Sequence, residues 1–187
     1  MERNASAGLP RRTLLRVLAA TAVVAAPNFA NAFSYVRGAG DIRRLNINSG
    51  RTSEALNIVY WADGEYIPEA LVHIDYFFRD WHKDKVHRID TRLLDIMVAA
   101  HRLLDTDEPY NLLSGYRSPQ TTQRSGMSGA ASDPPHTLGQ AADVRMHSRS
   151  VAQVAQAAAT CRAGGVGCYL PSNFTHIDCG PIREWAA

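Results

Sequence analysis

The spacing of apolar residues changes along the chain, and each change predicts an element. Arg44 to Asn48 alternates, with Leu45 and Ile47 on one face. Leu56 to Trp61 is rich in strand formers, and Asn48-Ser49-Gly50 lies between the two runs, which predicts a small hairpin. Ala62-Asp63-Gly64 marks a second turn. Pro68 then opens a helix, since proline is tolerated in the first turn. Leu71, Ile74, Phe77, Phe78 and Trp81 recur at helical spacing, and we read this stripe as core and not as a ligand groove. Asp90 is an N-cap for the next helix, whose apolar set is Leu93, Leu94, Ile96, Met97, Ala100, Leu103 and Leu104. His73, His82, His87 and His101 fall on or between these helices and read as surface or capping groups.

The second half changes period again. Tyr110 to Ser114 reads as a strand ended by Gly115, and Gln120 to Arg124 as a brief helix. Ser125 to Pro135 holds two glycines and two prolines, so it reads as a loop leading to His136. Loops of this kind often form the rim of a site. Ala141 to Arg145 predicts a strand. Ser150 with Gln153 makes a capping box and starts an alanine-rich helix to about Arg162, stopped by Gly164-Gly165. The last unit is a hairpin, Val166–Tyr169 and Phe174–Asp178, turning through Pro171-Ser172-Asn173. On an extended strand Phe174, His176 and Asp178 share one face, and Thr175, Ile177 and Cys179 the other. The pattern as a whole predicts an α+β domain.

Composition adds limits. With 187 residues, 45% of them hydrophobic, the chain can bury one ordinary core. The formal net charge of +2 makes no case for nucleic-acid binding. Residues 1–32 read as a targeting segment: Arg11-Arg12, then Leu14, Leu15 and Arg16, the apolar run Val17 to Ala26, and a small-residue cleavage site at Ala30-Asn31-Ala32. The run is too short to span a bilayer. The paired arginines resemble a twin-arginine export signal, cleaved after Ala32, which predicts a periplasmic protein with no stable membrane span. Residues 33–187 remain. Four basic residues and one acidic residue leave with the signal, so the remainder holds 16 basic and 17 acidic, net −1. Three cysteines stay: Cys161, Cys168 and Cys179. An oxidising compartment predicts one disulfide among them, with the pair left open, and an odd thiol over.

The candidate chemistry lies at His136 and Asp143. Seven residues apart, they would stand about 10 Å apart on a straight helix and on opposite faces of a straight strand. A turn brings them together, and Gly139 permits one. His176 supplies a second imidazole. Two His and one carboxylate make a three-ligand set that leaves a zinc ion (Zn2+) an open position for water.

Four stretches in order carry a family resemblance: Ser114-Gly115-Tyr116-Arg117-Ser118-Pro119; His136 to Asp143; Gly164-Gly165-Val166-Gly167 with Tyr169; and His176-Ile177-Asp178 with Gly180 to Trp185. Together they resemble the YcbK-type murein endopeptidases, within the D-Ala-D-Ala metallopeptidases of the hedgehog-type zinc fold. The resemblance runs from about Arg44 to Trp185. It implies a single zinc peptidase domain with a small, mainly antiparallel sheet and helices packed on one face. It implies an exported zinc enzyme cutting peptide cross-links between peptidoglycan stem peptides. By matched position His136, Asp143 and His176 are the implied zinc ligands. Arg117 would bind a substrate carboxylate or polarise the scissile carbonyl, with Tyr116 and Tyr169 among the substrate-binding groups.

The chain departs from the family pattern at four places. Pro134 stands where serine is frequent, Thr122 where asparagine is, and Cys179 where threonine is usual. Related peptidases carry a carboxylate three residues before the last ligand, and here that position is Asn173. Asp178 is the remaining candidate, either as general base or as a group orienting a ligand His. Two alternatives stand beside the hydrolase: a zinc-binding module of the same fold that binds peptidoglycan or a protein without cutting, and a metal-free structural envelope protein.

Overall fold

The computed structural model describes residues 39–124 and 134–187. The leader read over residues 1–32 lies outside them, as does most of the loop read over 125–135. The first hairpin forms as the alternation requires. Strand β1 (Arg43–Ser49) pairs antiparallel with β2 (Glu54–Ala62), burying Leu45 and Ile47. Asp63 and Gly64 both take positive φ in the turn to β3 (Glu65–Tyr66), the conformation a tight two-residue hairpin turn demands.

Helix α1 (Pro68–Phe77) starts at its proline and buries Ile74 and Phe77, with Phe78 at its C-cap. The apolar stripe continues past the helix end only in sequence. Trp81 is 39% exposed and stacks on His82, with ring centroids 3.5 Å apart. The reading of Trp81 as core is therefore corrected: the helix stops four residues earlier, and the chain turns the indole outward.

Helix α2 (Thr91–Leu103) begins where Asp90 accepts from the Arg92 amide. It buries Leu93, Leu94, Ile96, Met97 and Ala100, while Leu103 is exposed in the last turn. Asp95 is buried in mid-helix. It pairs with Arg43 at 2.6 Å and accepts from the Tyr60 and Tyr66 hydroxyls. This cluster ties α2 to the first hairpin. Burial, ahead of the nearby carboxylate, pushes the Tyr66 phenol up to about 12.

The remaining elements are β4 (Tyr110–Ser114), α3 (Pro119–Arg124), α4 (Pro134–Thr137), β5 (Ala141–Arg145), α5 (Val151–Thr160), β6 (Gly165–Tyr169), β7 (Phe174–Asp178) and β8 (Arg183–Ala186). The capping box of α5 is complete: Ser150 accepts from the Gln153 amide, and Gln153 accepts from the Ser150 amide. Arg162 takes positive φ just after the helix, ending it before the two glycines.

The strands form one eight-stranded sheet in the order β3-β2-β1-β4-β5-β7-β6-β8, antiparallel except at β1–β4 and β6–β8. Alternation gives it two faces. Ala142, Val144 and Ile177 join the core with α2 and α5, and the Thr175 hydroxyl donates to Val151 at the start of α5. Asp143, His176 and Asp178 lie on the opposite face. All three cysteines are free thiols in this structure, so the expected disulfide does not form in it. Cys161 caps α5, Cys168 lies on β6 opposite Thr175, and Cys179 is buried just after β7.

Candidate metal centre

Strand register sets the first contact. Asp143 of β5 and His176 of β7 are cross-strand partners, and His176 Nδ1 stands 2.9 Å from Asp143 Oδ1. His136 arrives from the short α4, not from an extended loop, and Gly139 at φ 67 turns the chain back into β5. His136 Nε2 then lies 3.3 Å from the same Asp143 oxygen. One donor atom from each residue falls within 4.8 Å of the others.

The outer nitrogens set the tautomers. His136 Nδ1 lies 2.6 Å from the Gly115 carbonyl, which can only accept, so this nitrogen carries hydrogen. His176 Nε2 lies 3.0 Å from Asp178 Oδ2 and donates to it in the same way. In neutral imidazoles the inner nitrogens are then lone pairs, both aimed at one carboxylate oxygen. That arrangement is repulsive unless protons or a cation sit between them. A cation about 2 Å from each donor requires separations of this size, and the N, N, O set suits zinc chemistry. The residues therefore fit a metal ion.

Burial alone would raise the Asp143 carboxyl, but the two imidazoles outweigh it and hold it well below the usual carboxylate range. Asp178 is fully buried. Its Oδ1 accepts from the Gly165 and Gly180 amides and from Arg183, and its Oδ2 from Arg183 and His176. These hydrogen bonds overcome the burial cost, and the carboxyl again lies well below its ordinary range.

Beside Asp143 opens a cleft of about 360 Å³. Arg117, Tyr116, Trp81, His82, Arg51 and Phe174 are among its walls. Arg117 donates to Asp143 Oδ2 at 3.4 Å. The Tyr116 ring stacks on His87, with centroids 4.6 Å apart. Tyr169 is set one layer back, stacked on Phe174 and accepting from the Trp185 indole. Asn173 is exposed at φ 53 in the β6–β7 turn.

Several contributors escaped the sequence reading. The Gly115 carbonyl orients His136, and a backbone acceptor has no residue signature. Asp80 anchors the Arg117 segment: it accepts from the Ser118 amide and hydroxyl, the Thr121 hydroxyl and the His82 amide. Trp81 and His82 line the cleft from a stretch read as core and surface. The sequence signal for this cluster was the stretch Arg79-Asp80-Trp81, to which the family resemblance extends.

Residues 37–185 match the family described as Peptidoglycan L,D-endopeptidase MepK. The chain is 39% identical over 145 residues to the peptidoglycan L,D-endopeptidase MepK of Escherichia coli strain K12, covering 76% of this chain and 80% of that protein. It is 33% identical over 143 residues to the probable peptidoglycan L,D-endopeptidase MepK of Haemophilus influenzae, covering 75% of each. No solved structure matches. A match over nearly all the described residues, around a converged His-Asp-His group, places the chain in the MepK family of peptidoglycan L,D-endopeptidases, a family of metallopeptidases.

Proposed function

We propose that this chain hydrolyses L,D peptide bonds in peptidoglycan cross-links, with zinc held by His136, Asp143 and His176. The observation that carries the reading is the pair of inner imidazole nitrogens facing one Asp143 oxygen while both outer nitrogens are committed to acceptors. An L,D bond joins the carboxyl of an L centre to the amine of a D centre. In cross-linked stem peptides, the link between two diaminopimelates has this form.

Zinc in this site supplies Lewis acidity toward a water and toward the scissile carbonyl. The chain's own residues do the rest. Arg117 keeps its charge at any working pH and is steadied by Asp143 on the cleft wall. From there it binds a substrate carboxylate or the developing oxyanion, an interaction worth several kcal/mol in comparable sites, roughly 3. Tyr116 forms a flat wall for the stem peptide. Tyr169 backs Phe174 and shapes that wall from behind. Asp178 has its oxygens occupied by five donors, so we assign it to holding His176 and not to proton transfer.

Peptidoglycan as substrate places the work outside the cytoplasmic membrane. This accords with residues 1–32 as a twin-arginine-type signal and a periplasmic destination. Among the described residues no helix is long and apolar enough to cross a membrane.

The test is digestion of defined muropeptide dimers followed by mass analysis. Dimers joined through two diaminopimelates should split, and those joined through D-Ala should stay whole. Chelator should stop the reaction, zinc should restore it, and His136→Ala should be inactive. Cleavage that survives both the chelator and His136→Ala would refute the reading.

A further inference from the structure

The face of the sheet that carries the metal ligands is laid out in two rows across four strands. One row runs Asp143 (β5), His176 (β7), Gly167 (β6), Trp185 (β8). The neighbouring row places Asp178 (β7) and Gly165 (β6) beside Arg183 (β8), with the Gly165 amide donating to Asp178. In both rows the β6 position is glycine, and the space is filled from β8. A Cβ on Gly165 would stand 2.3 Å from Arg183 Nη1 and 2.5 Å from Asp178 Oδ2. A Cβ on Gly167 would stand 2.6 Å from the Trp185 ring. The blank β6 positions let two β8 side chains reach across a whole strand.

What they reach is the second metal imidazole and its support. Arg183 grips Asp178 with a fork: Nη1 to Oδ1 at 3.1 Å and Nη2 to Oδ2 at 2.8 Å. Such bidentate pairing fixes the plane of a carboxylate as well as its position. With that plane fixed, Oδ2 accepts from His176 Nε2–H at 3.0 Å, and His176 presents Nδ1 to Asp143. The Arg183 guanidinium also lies 4.9 Å over the Trp185 ring, whose centroid is 5.3 Å from that of His176. The last strand thus holds the imidazole twice, through the carboxylate and through the indole.

We propose that Arg183 is a positioning residue of the metal centre: through Asp178 it fixes the ring plane and tautomer of His176, and so sets the affinity and geometry of the bound ion. This rests on the ligand set proposed above but not on the identity of the substrate. Loss of such an outer partner typically weakens metal binding by about 10- to 100-fold.

The experiment measures metal, not turnover. Parent, Arg183→Gln, Arg183→Lys and Asp178→Asn are titrated with zinc against a competing chelator. The cobalt-substituted forms are compared by visible absorption. Nitrogen-15 spectra of the metal-free proteins report the His176 tautomer. We expect Arg183→Gln to lose about 10- to 100-fold in zinc affinity, shift the cobalt bands and mix the tautomers. Arg183→Lys should recover part of each, since it keeps the charge and one donor. The double variant with Asp178→Asn should bind no worse than Asp178→Asn alone. Parent-like affinity, cobalt bands and tautomer in Arg183→Gln would overturn the proposal. If Arg183→Gln fails to fold, Arg183→Lys with parent-like affinity, bands and tautomer overturns it, and lowered affinity with shifted bands supports it. A parent that binds cobalt as described yet splits no muropeptide would refute the substrate reading and leave this inference standing.

Discussion

Asp80→Ala tests how the Arg117 segment is held. Asp80 is 2% exposed and lies just beyond α1. Its Oδ2 accepts from the Ser118 amide at 3.0 Å and from the Ser118 and Thr121 hydroxyls; its Oδ1 accepts from the His82 amide at 3.0 Å. Hydrogen bonds to a charged acceptor contribute roughly 1.5–3 kcal/mol each, and a stranded buried donor costs about 1–3 kcal/mol. The two hydroxyls are 3.4 Å apart and can partly satisfy each other, and the adjoining cleft admits water. The net expectation is therefore about 3–4 kcal/mol, well below the sum of the parts. In a domain of this size that lowers Tm by roughly 10 °C. Urea unfolding at neutral pH measures the free energy. The pH dependence is a second check. Burial alone would raise the Asp80 carboxyl, but the Ser118 and Thr121 hydrogen bonds outweigh it and lower it. A group depressed on folding contributes fully above its unfolded value, near 4, and loses that contribution as pH falls through the folded value. The gap between parent and Asp80→Ala should be full at neutral pH and narrow below about pH 4. A gap under about 1 kcal/mol at neutral pH would refute the anchoring argument.

Three further outcomes follow from the geometry. Arg117→Gln should lower kcat/KM by about 10²- to 10³-fold while Tm moves by only a few degrees; unchanged kinetics on the muropeptide dimer would remove Arg117 from the mechanism. Gly167→Ala forces a methyl against the Trp185 ring; it should cost about 1–3 kcal/mol by overpacking and shift the tryptophan fluorescence, and a parent-like emission spectrum and melt would show that the ring does not lie where described. Asp95→Asn leaves Arg43 buried without its anion and disturbs the Tyr60 and Tyr66 hydroxyls; urea unfolding should register a loss of about 3–5 kcal/mol, and a variant as stable as the parent would contradict the role given to this cluster.

The local elements were legible because they depend on near neighbours. Alternation at Leu45 and Ile47 is enough to make a strand, Asp63-Gly64 to make a tight turn, Asp90 to start α2, and Ser150 with Gln153 to start α5. Each effect acts within a few residues, so the order of side chains decides it. Trp81 shows the limit: its helical spacing was real, but only the end of α1 at Phe77 determined that the indole would face the cleft.

The candidate ligands could also be named in advance, because the turn at Gly139 is local and the motifs around it are distinctive. Their convergence was an expectation, and the register that produces it could not be read. Asp143 meets His176 because β5 and β7 pair in one register, and a slip of one residue would turn one partner to the other face. The role of Asp178 was undecided in the sequence between base and support, since a strand pattern shows a shared face but not hydrogen-bond partners. The fold supplied those partners from Gly165, Gly180 and Arg183. Residue order thus determined the pieces and the donor chemistry. Tertiary structure decided which lone pairs face each other: β5–β7 register brings His176 to Asp143, and the docking of α4 on the Gly115 carbonyl brings His136, both contacts between segments distant along the chain.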